Sequence, residues 1–407
     1  MRTGSTLLVS PSAPRMYLTA ACDDSSAEPR RHYRPMSDAN HYDGIARNIA
    51  SGRGFTHLFP GLTLHATAFR PPLYPSLLGL VYRLTGSRVG AGMALNLVLG
   101  AAAAIALYTL VHDIAGERAA ILAGVFFALY PPLLANNVAL LTEPLGMVLL
   151  FGSMWALLRG NAWVTGILGG LFALTWTSGQ LYCVIVAGWA LVHLGWRSAL
   201  RLSLAGVAIV TPWCVRNEIR LGTPSINTSN GFNLTATYSV EANSKKTYFV
   251  DETIDPRFDT LAWRSVQQHE AQWDSRLRQH GVDGFLANPG HAFTLIHHNL
   301  GEMLERKPSD VRLADSVDGR SRTVRDIGGH LFPLVSGLGL LGLFLTRRRR
   351  GMRLLAGATT YFVVLDLLTI MAPRLRGVFD AACCVGLAML VDHLLPAPSR
   401  QSTMAGS

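Results

Sequence analysis

Within six positions of the stretch Ser37–Phe55, SDANHYDGIARNIASGRGF, stand Asp38, His41, Tyr42 and Asp43, the densest set of chemically able side chains in the chain. Three readings are open for them. If a short helix runs over 39–50, Asp38 is its N-cap, accepting from free backbone N–H groups. A carboxylate at a membrane surface also has the chemistry of a general base toward an acceptor hydroxyl or amine. Asp38, His41 and Asp43 are, thirdly, possible ligands of a divalent metal, although their spacing fixes no coordination geometry.

Cations come from elsewhere. Arg70 precedes the pair Pro71–Pro72 in TAFRPPLYPSLLGL at 67–80, and a prolyl pair stiffens the backbone that carries the guanidinium. Held at headgroup depth, an arginine can bind a phosphate through two parallel hydrogen bonds, or merely snorkel to the headgroups. LLTEP at 140–144 sets Glu143 beside Pro144, where the charge suits a helix start or a site. TPWCVRN at 211–217 carries Trp213, Arg216 and Asn217, and PRLR at 373–376 carries Arg374 and Arg376. Asp366 lies inside an apolar run, where it reads equally as a functional acid or a structural hydrogen bond.

The elements that must position these residues are membrane helices. Hydrophobic residues make up 49% of the 407 and charged residues only 15%, against roughly 25% in soluble domains. Mean hydropathy is +0.27. Nine long apolar stretches are predicted at 89–113, 117–135, 140–158, 162–178, 180–196, 199–216, 328–346, 353–371 and 377–395, several a little short of a full span. The piece 71–85, with Arg83 inside it, suits the membrane interface instead. The net charge of +10 is no argument for nucleic acid, because its densest cluster, RRRRGMR at 347–353, sits between two apolar runs, where cytoplasmic anchoring charge belongs. Cys22, Cys183, Cys214, Cys383 and Cys384 have neither metal-ligand spacing nor a disulfide pattern.

With RRRRGMR inside, alternation places Arg159, Arg197 and Arg201 inside as well. It puts residues 23–85, Glu143, Arg216 and the turn at 373–376 outside. Outward arginines breach the positive-inside rule and suggest an anionic ligand such as a lipid phosphate. The resulting division is 1–36, a weakly apolar N-terminus in which a first helix is expected to have been lost; 37–88, a first outer loop; 89–216, membrane helices; 217–327, an outer segment; 328–395, C-terminal membrane helices; and 396–407, a tail. In the outer segment 222–257 reads mostly as loop, and 259–280 and 289–306 as amphipathic helices, with Pro289 at a helix start.

In order along the chain, the acidic first loop, FRPPLYPSLLGL, LLTEP, TPWCVRN followed by NTSNGFNL, and PRLR resemble the GT-C superfamily of membrane glycosyltransferases, covering about 37–390. Relatives include the dolichyl-phosphate-mannose protein mannosyltransferases, the aminoarabinose transferases and galacturonosyltransferase-like proteins. The resemblance implies an all-α polytopic GT-C-like bundle of about nine or ten transmembrane helices with outer loops. It implies transfer of a sugar, with inversion, from a polyprenyl-phosphate donor to an extracytoplasmic acceptor. Asp38 maps to the family's acid/base position, and Arg374 and Arg376 match the final turn that holds the carrier phosphate; Arg70 and Arg216 join them by position. His41, Tyr42, Asp43, Glu143 and Asn217 are supporting candidates. Ala39 stands where many relatives have a second acid, and TWTSGQ where they often have an arginine-proline pair. No cofactor is required on this reading, and a divalent metal stays open. Other readings are a carrier or flippase for an anionic lipid-linked glycan, or a non-catalytic scaffold of envelope synthesis.

Overall fold

The computed structural model describes Tyr33, Pro35 and residues 37–59, 63–244, 270–305, 322–371 and 374–396. The expected lost first helix, the helical reading of 259–269 and all but the first residue of the tail fall outside these residues.

Length and apolarity produce the membrane-crossing part. Helices α3 (Val89–Ala115), α9 (Trp196–Leu221), α14 (Arg322–Thr346), α15 (Arg350–Leu368) and α16 (Gly377–Leu394) are each long and apolar enough to cross a bilayer. Helices α4 (Glu117–Leu129) and α5 (Pro131–Asn137) reach that length and apolarity only when taken together, and they meet at 63°. Tyr130 is extended there, and Pro131 opens the next helix, where its missing N–H costs nothing. Helices α6 (Glu143–Leu158), α7 (Ala162–Ala173) and α8 (Gly179–Leu194) are apolar but shorter. The chain is a multi-pass membrane protein, and these segments follow the nine apolar stretches in order. Where 162–178 was expected to continue, α7 ends at Ala173, and the carbonyl of Leu174 accepts the N–H of Leu73 at 2.9 Å.

Small residues let these helices touch. A Cβ added to Gly342 of α14 would lie 1.8 Å from the carbonyl oxygen of Gly386 in α16, and one on Gly166 of α7 would lie 2.1 Å from that of Leu202 in α9. Membrane helices, lacking a hydrophobic drive toward each other, associate through such close contacts. Leu107, Leu110, Phe151, Tyr182 and Val385 fill the buried centre. Val98, Ile105, Val207 and Phe344 face outward, as a lipid-facing surface requires.

One end of the bundle is roofed by shorter elements. These are α1 (Ser37–Ala50), the antiparallel pair β1 (Thr56–His57) and β2 (His65–Ala66), and α2 (Leu73–Thr85). Packed with them are α10 (Asn230–Tyr238), α11 (Val240–Ser244), α12 (Glu270–Ala287) and α13 (His291–Met303). Residues 230–244 thus form helices where loop was expected. Thr235, Ala236 and Tyr238 are buried, and Gly231, Gly281 and Gly284 bring α10 and α12 into backbone contact, so tertiary packing overrides weak helix propensity.

Candidate functional site

Helix α1 starts at Ser37, so Asp38 lies in its first turn rather than at its cap. Asp38, His41 and Tyr42, spaced three and four residues apart, share one helix face. That face meets two arginines from distant parts of the chain. Arg70 comes from the FRPP segment that leads into α2, and Arg374 from the turn between α15 and α16. Each gives a guanidinium N–H to a different oxygen of Asp38, Arg70 to Oδ1 and Arg374 to Oδ2. Arg374 also reaches Oε1 of Glu143, in the first turn of α6, at 3.5 Å. Arg70 donates to Nδ1 of His41 from Nε at 3.2 Å, and its guanidinium lies 5.0 Å from the ring centre of Phe69 and 5.7 Å from that of Tyr42.

Electrostatics follow from this packing. Burial alone would raise the Asp38 carboxyl, but Arg70 and Arg374 outweigh it and hold the group well below the usual carboxylate range. Burial, with the positive Arg70 alongside, pushes His41 well below its ordinary value, so its imidazole is neutral and Nδ1 is free to accept. His57, 5.5 Å from His41 by ring centres, is lowered by burial to about 4, and burial lifts Tyr42 to about 12. Two arginines and two carboxylates therefore form a compact, charge-balanced cluster under the roof.

The remaining expected residues lie elsewhere. Arg216 turns its guanidinium to the carbonyls of Thr67 and Phe55 and packs on Trp213. It pins the loop that delivers Arg70 and does not join Asp38. Asn217 accepts from Arg216 and donates to the carbonyl of Ser225 at 2.7 Å. Asp43 points to the other side of α1, accepting from Tyr82 at 2.6 Å and Arg47 at 2.7 Å, and so fastens α1 to α2. Arg376 is 1% exposed; it donates to Asp380, to Glu305 at 2.7 Å and to the Met303 carbonyl, and covers the Phe332 ring at 3.9 Å. The expectation of a phosphate grip meets, at Arg216 and Arg376, guanidiniums already turned into the fold.

Three residues that the sequence reading passed over support the cluster. Buried Glu270 accepts the N–H of Ala68 at 2.8 Å, the hydroxyl of Thr228 and His65 at 3.0 Å, fixing the residues just before Arg70. Nothing in its surrounding charged sequence distinguishes it. Asn96, by contrast, is a lone polar residue in an apolar run, which is a visible signal. Its amide donates to the carbonyls of Ala139 and Leu141, satisfying the non-helical backbone just before Glu143. Trp176, donating to Thr142 at 3.0 Å, braces the same turn.

The three residues read as possible metal ligands do not converge on one point. Both oxygens of Asp38 face guanidiniums, His41 Nδ1 is occupied by Arg70, and Asp43 is turned away. Among the described residues no group of three or more His, Cys, Asp and Glu side chains gathers as metal ligands.

Solved structures share this architecture. The Archaeoglobus fulgidus oligosaccharyltransferase in complex with Zn and sulfate superposes with a TM-score of 0.51 at 15% identity, over 89% of this chain and 45% of that one. The chain has a GT-C-like fold. The same enzyme tethered by a disulfide bond to an acceptor peptide containing the NVT sequon gives 0.50 at 14% identity, over 88% of this chain and 45% of that one. AglB from the same organism, in complex with an inhibitory peptide and a dolichol-phosphate, gives 0.48 at 13% identity, over 88% and 46%. The chain spans less than half the length of these proteins. No protein-family model matches the chain, and no curated protein matches it by sequence.

Proposed function

We propose that this chain is a membrane glycosyltransferase that moves a sugar from a polyprenyl-phosphate carrier to an acceptor at the extracytoplasmic face. The observation that carries the reading is the meeting of Asp38 with Arg70 and Arg374, from three separate segments, at one end of a GT-C-like bundle. The RRRRG cluster at 347–351 belongs to the other end, and the positive-inside rule assigns that end to the cytoplasm. An oligosaccharyltransferase of the same fold has been captured with an acceptor peptide, which supports a glycan-transfer role without fixing the acceptor here.

The chemistry needs a cationic hold on the leaving group and a base for the acceptor. During transfer the bond between the sugar anomeric carbon and the phosphate oxygen breaks, and the phosphate departs with the electron pair. Arg70 and Arg374 would stabilise that charge as it grows, in a buried setting where a guanidinium acts strongly. The acceptor oxygen or nitrogen attacks the opposite face, which inverts the anomeric centre, and its proton passes to the Asp38 carboxylate. Without donor, the arginines hold Asp38 as a very weak base. A phosphate that draws the guanidiniums toward itself loosens that hold and raises the basicity of the carboxylate. Base strength thereby arrives with the donor. Neutral His41 keeps Arg70 oriented, and Glu143 does the same for Arg374.

The test uses the purified chain in lipid nanodiscs with a panel of polyprenyl-phosphate sugars and acceptors. Asp38→Asn is expected to abolish transfer while still binding donor; full transfer by that variant would sink the assignment. Cysteines introduced singly at positions 38 and 350 should react with impermeant reagents from opposite sides of the membrane. Labelling of position 38 from the cytoplasm alone would reverse the proposed face.

A further inference from the structure

A charged concavity lies at the far end of the bundle from Asp38, where α3 ends, α6 ends and α15 begins. Its volume is about 370 Å³, and Asp113, Leu158, Arg159, Arg349 and Arg350 line it. Arg159 is already satisfied, giving Nε and Nη2 to the two oxygens of Asp113 at 2.5 and 2.8 Å. The other two arginines are not. Arg349 has a single carbonyl partner, that of Ile114 at 3.3 Å, and Arg350 lies over the Trp189 ring at 4.7 Å. Among the described residues neither pairs with a carboxylate, so the concavity carries two uncompensated positive charges. Arg349 also sits at the start of α15, whose exposed N–H groups add to the positive potential.

We propose that this concavity binds a phosphate anion, and that its Arg349 and Arg350 grip the phosphate while Trp189 and Leu158 face the apolar surroundings. Guanidiniums are suited to phosphate oxygens by geometry as well as charge, and basic hollows between membrane helices on the cytoplasmic side fit phospholipid headgroups. The site is distinct from the Asp38 cluster. Both α6 and α15 run from one to the other, and the 19 residues of α15 span about 28 Å. Phosphate chemistry has two sources here, a membrane phospholipid or a soluble phosphate.

The experiment compares wild type with the double variant Arg349→Gln/Arg350→Gln, and with Arg197→Gln/Arg201→Gln as a control that removes charge elsewhere on the same face. Each is put into nanodiscs of phosphatidylcholine doped with phosphatidic acid, and the lipid retained after delipidating exchange into detergent is counted by native mass spectrometry. Wild type and control should retain phosphatidic acid in preference to phosphatidylcholine, and the site variant should retain roughly tenfold less, the loss of one charge-assisted contact or more. If instead inorganic phosphate raises the unfolding temperature of wild type but not of the site variant, and phosphatidic acid is not retained, the phosphate is soluble and the site stands. Equal retention by wild type and site variant, with no phosphate effect on unfolding, would overturn the proposal. So would an equal loss in the control. Size-exclusion profiles and ligand-free unfolding temperatures of all three proteins confirm that a loss reflects binding and not folding.

Discussion

Two arginines stand two residues apart in the final turn, Arg374 and Arg376, and the fold treats them in opposite ways. Arg376 is sealed at 1% exposure among Asp380, Glu305, a carbonyl and the face of Phe332. Arg374 keeps 13% of its side chain exposed and shares Asp38 with a second cation, Arg70. A guanidinium outnumbered by acids is a fastener. A carboxylate flanked by two guanidiniums is a site at which one cation can be redirected to an incoming anion.

Substitutions can break that contrast, and the largest effect is expected at its centre. Asp38→Asn should lower transfer by roughly 100- to 10,000-fold, the range of a lost general base, with donor retained on a filter-binding assay. Arg376→Ala should act on stability instead. It leaves buried Asp380 and half-buried Glu305 without this cation, a defect of about 3–5 kcal/mol, and the loss should appear as a lowered unfolding temperature and reduced yield in the membrane. Arg374→Gln should weaken donor binding about tenfold and lower the unfolding temperature less than Arg376→Ala does, because Asp38 keeps Arg70. A result in which Arg374→Gln unfolds the protein and Arg376→Ala spares it would reverse the comparison.

Smaller effects sharpen it. Arg374 belongs to a cluster flanked by half-buried neutral histidines, whereas the contacts described for Arg376 include none. Because His41 and His57 have lowered values in the folded state, the unfolded chain takes up protons first as pH falls. Their contribution to stability is full above about pH 6.5 and declines from there toward pH 4. Unfolding temperatures measured at pH 7 and pH 5 should therefore drop in wild type, and drop less in His57→Asn. At the low end, Phe332→Leu removes only the ring beneath Arg376 and should cost about 0.5–2 kcal/mol, leaving transfer unchanged.

Much of the frame was legible in the sequence because bilayer thickness dictates how long an apolar run must be. The stretches at 89–113, 353–371 and 377–395 became Val89–Ala115, Arg350–Leu368 and Gly377–Leu394 within a few residues. Helix 39–50 and the interfacial piece 71–85 emerged as Ser37–Ala50 and Leu73–Thr85. Helices over 230–244 were hidden, since their stability comes from contact with α12 rather than from their own composition. At the candidate site, residue types pointed to Asp38, Arg70 and Arg374, but not to which arginines meet the aspartate. PRLR looks symmetrical in one dimension. The one local hint was Asp380 four residues after Arg376, a spacing that pairs charges on a helix, and it marks Arg376 as the internally satisfied member. Arg216 gave no such hint, since its partners distant in sequence are backbone carbonyls, which every sequence possesses.

The separation of Asp38 from Arg374 along the chain also bears on biosynthesis. A ribosome feeding this protein into a membrane delivers Asp38, Arg70 and Glu143 early, and Arg374 only after all but one of the described helices have been made. Until then the carboxylate has one cation instead of two, and the final helical hairpin acts as the closing piece of the assembly. A chain cut short before that turn would carry nearly all of the bundle and yet lack the arrangement on which the proposed transfer rests.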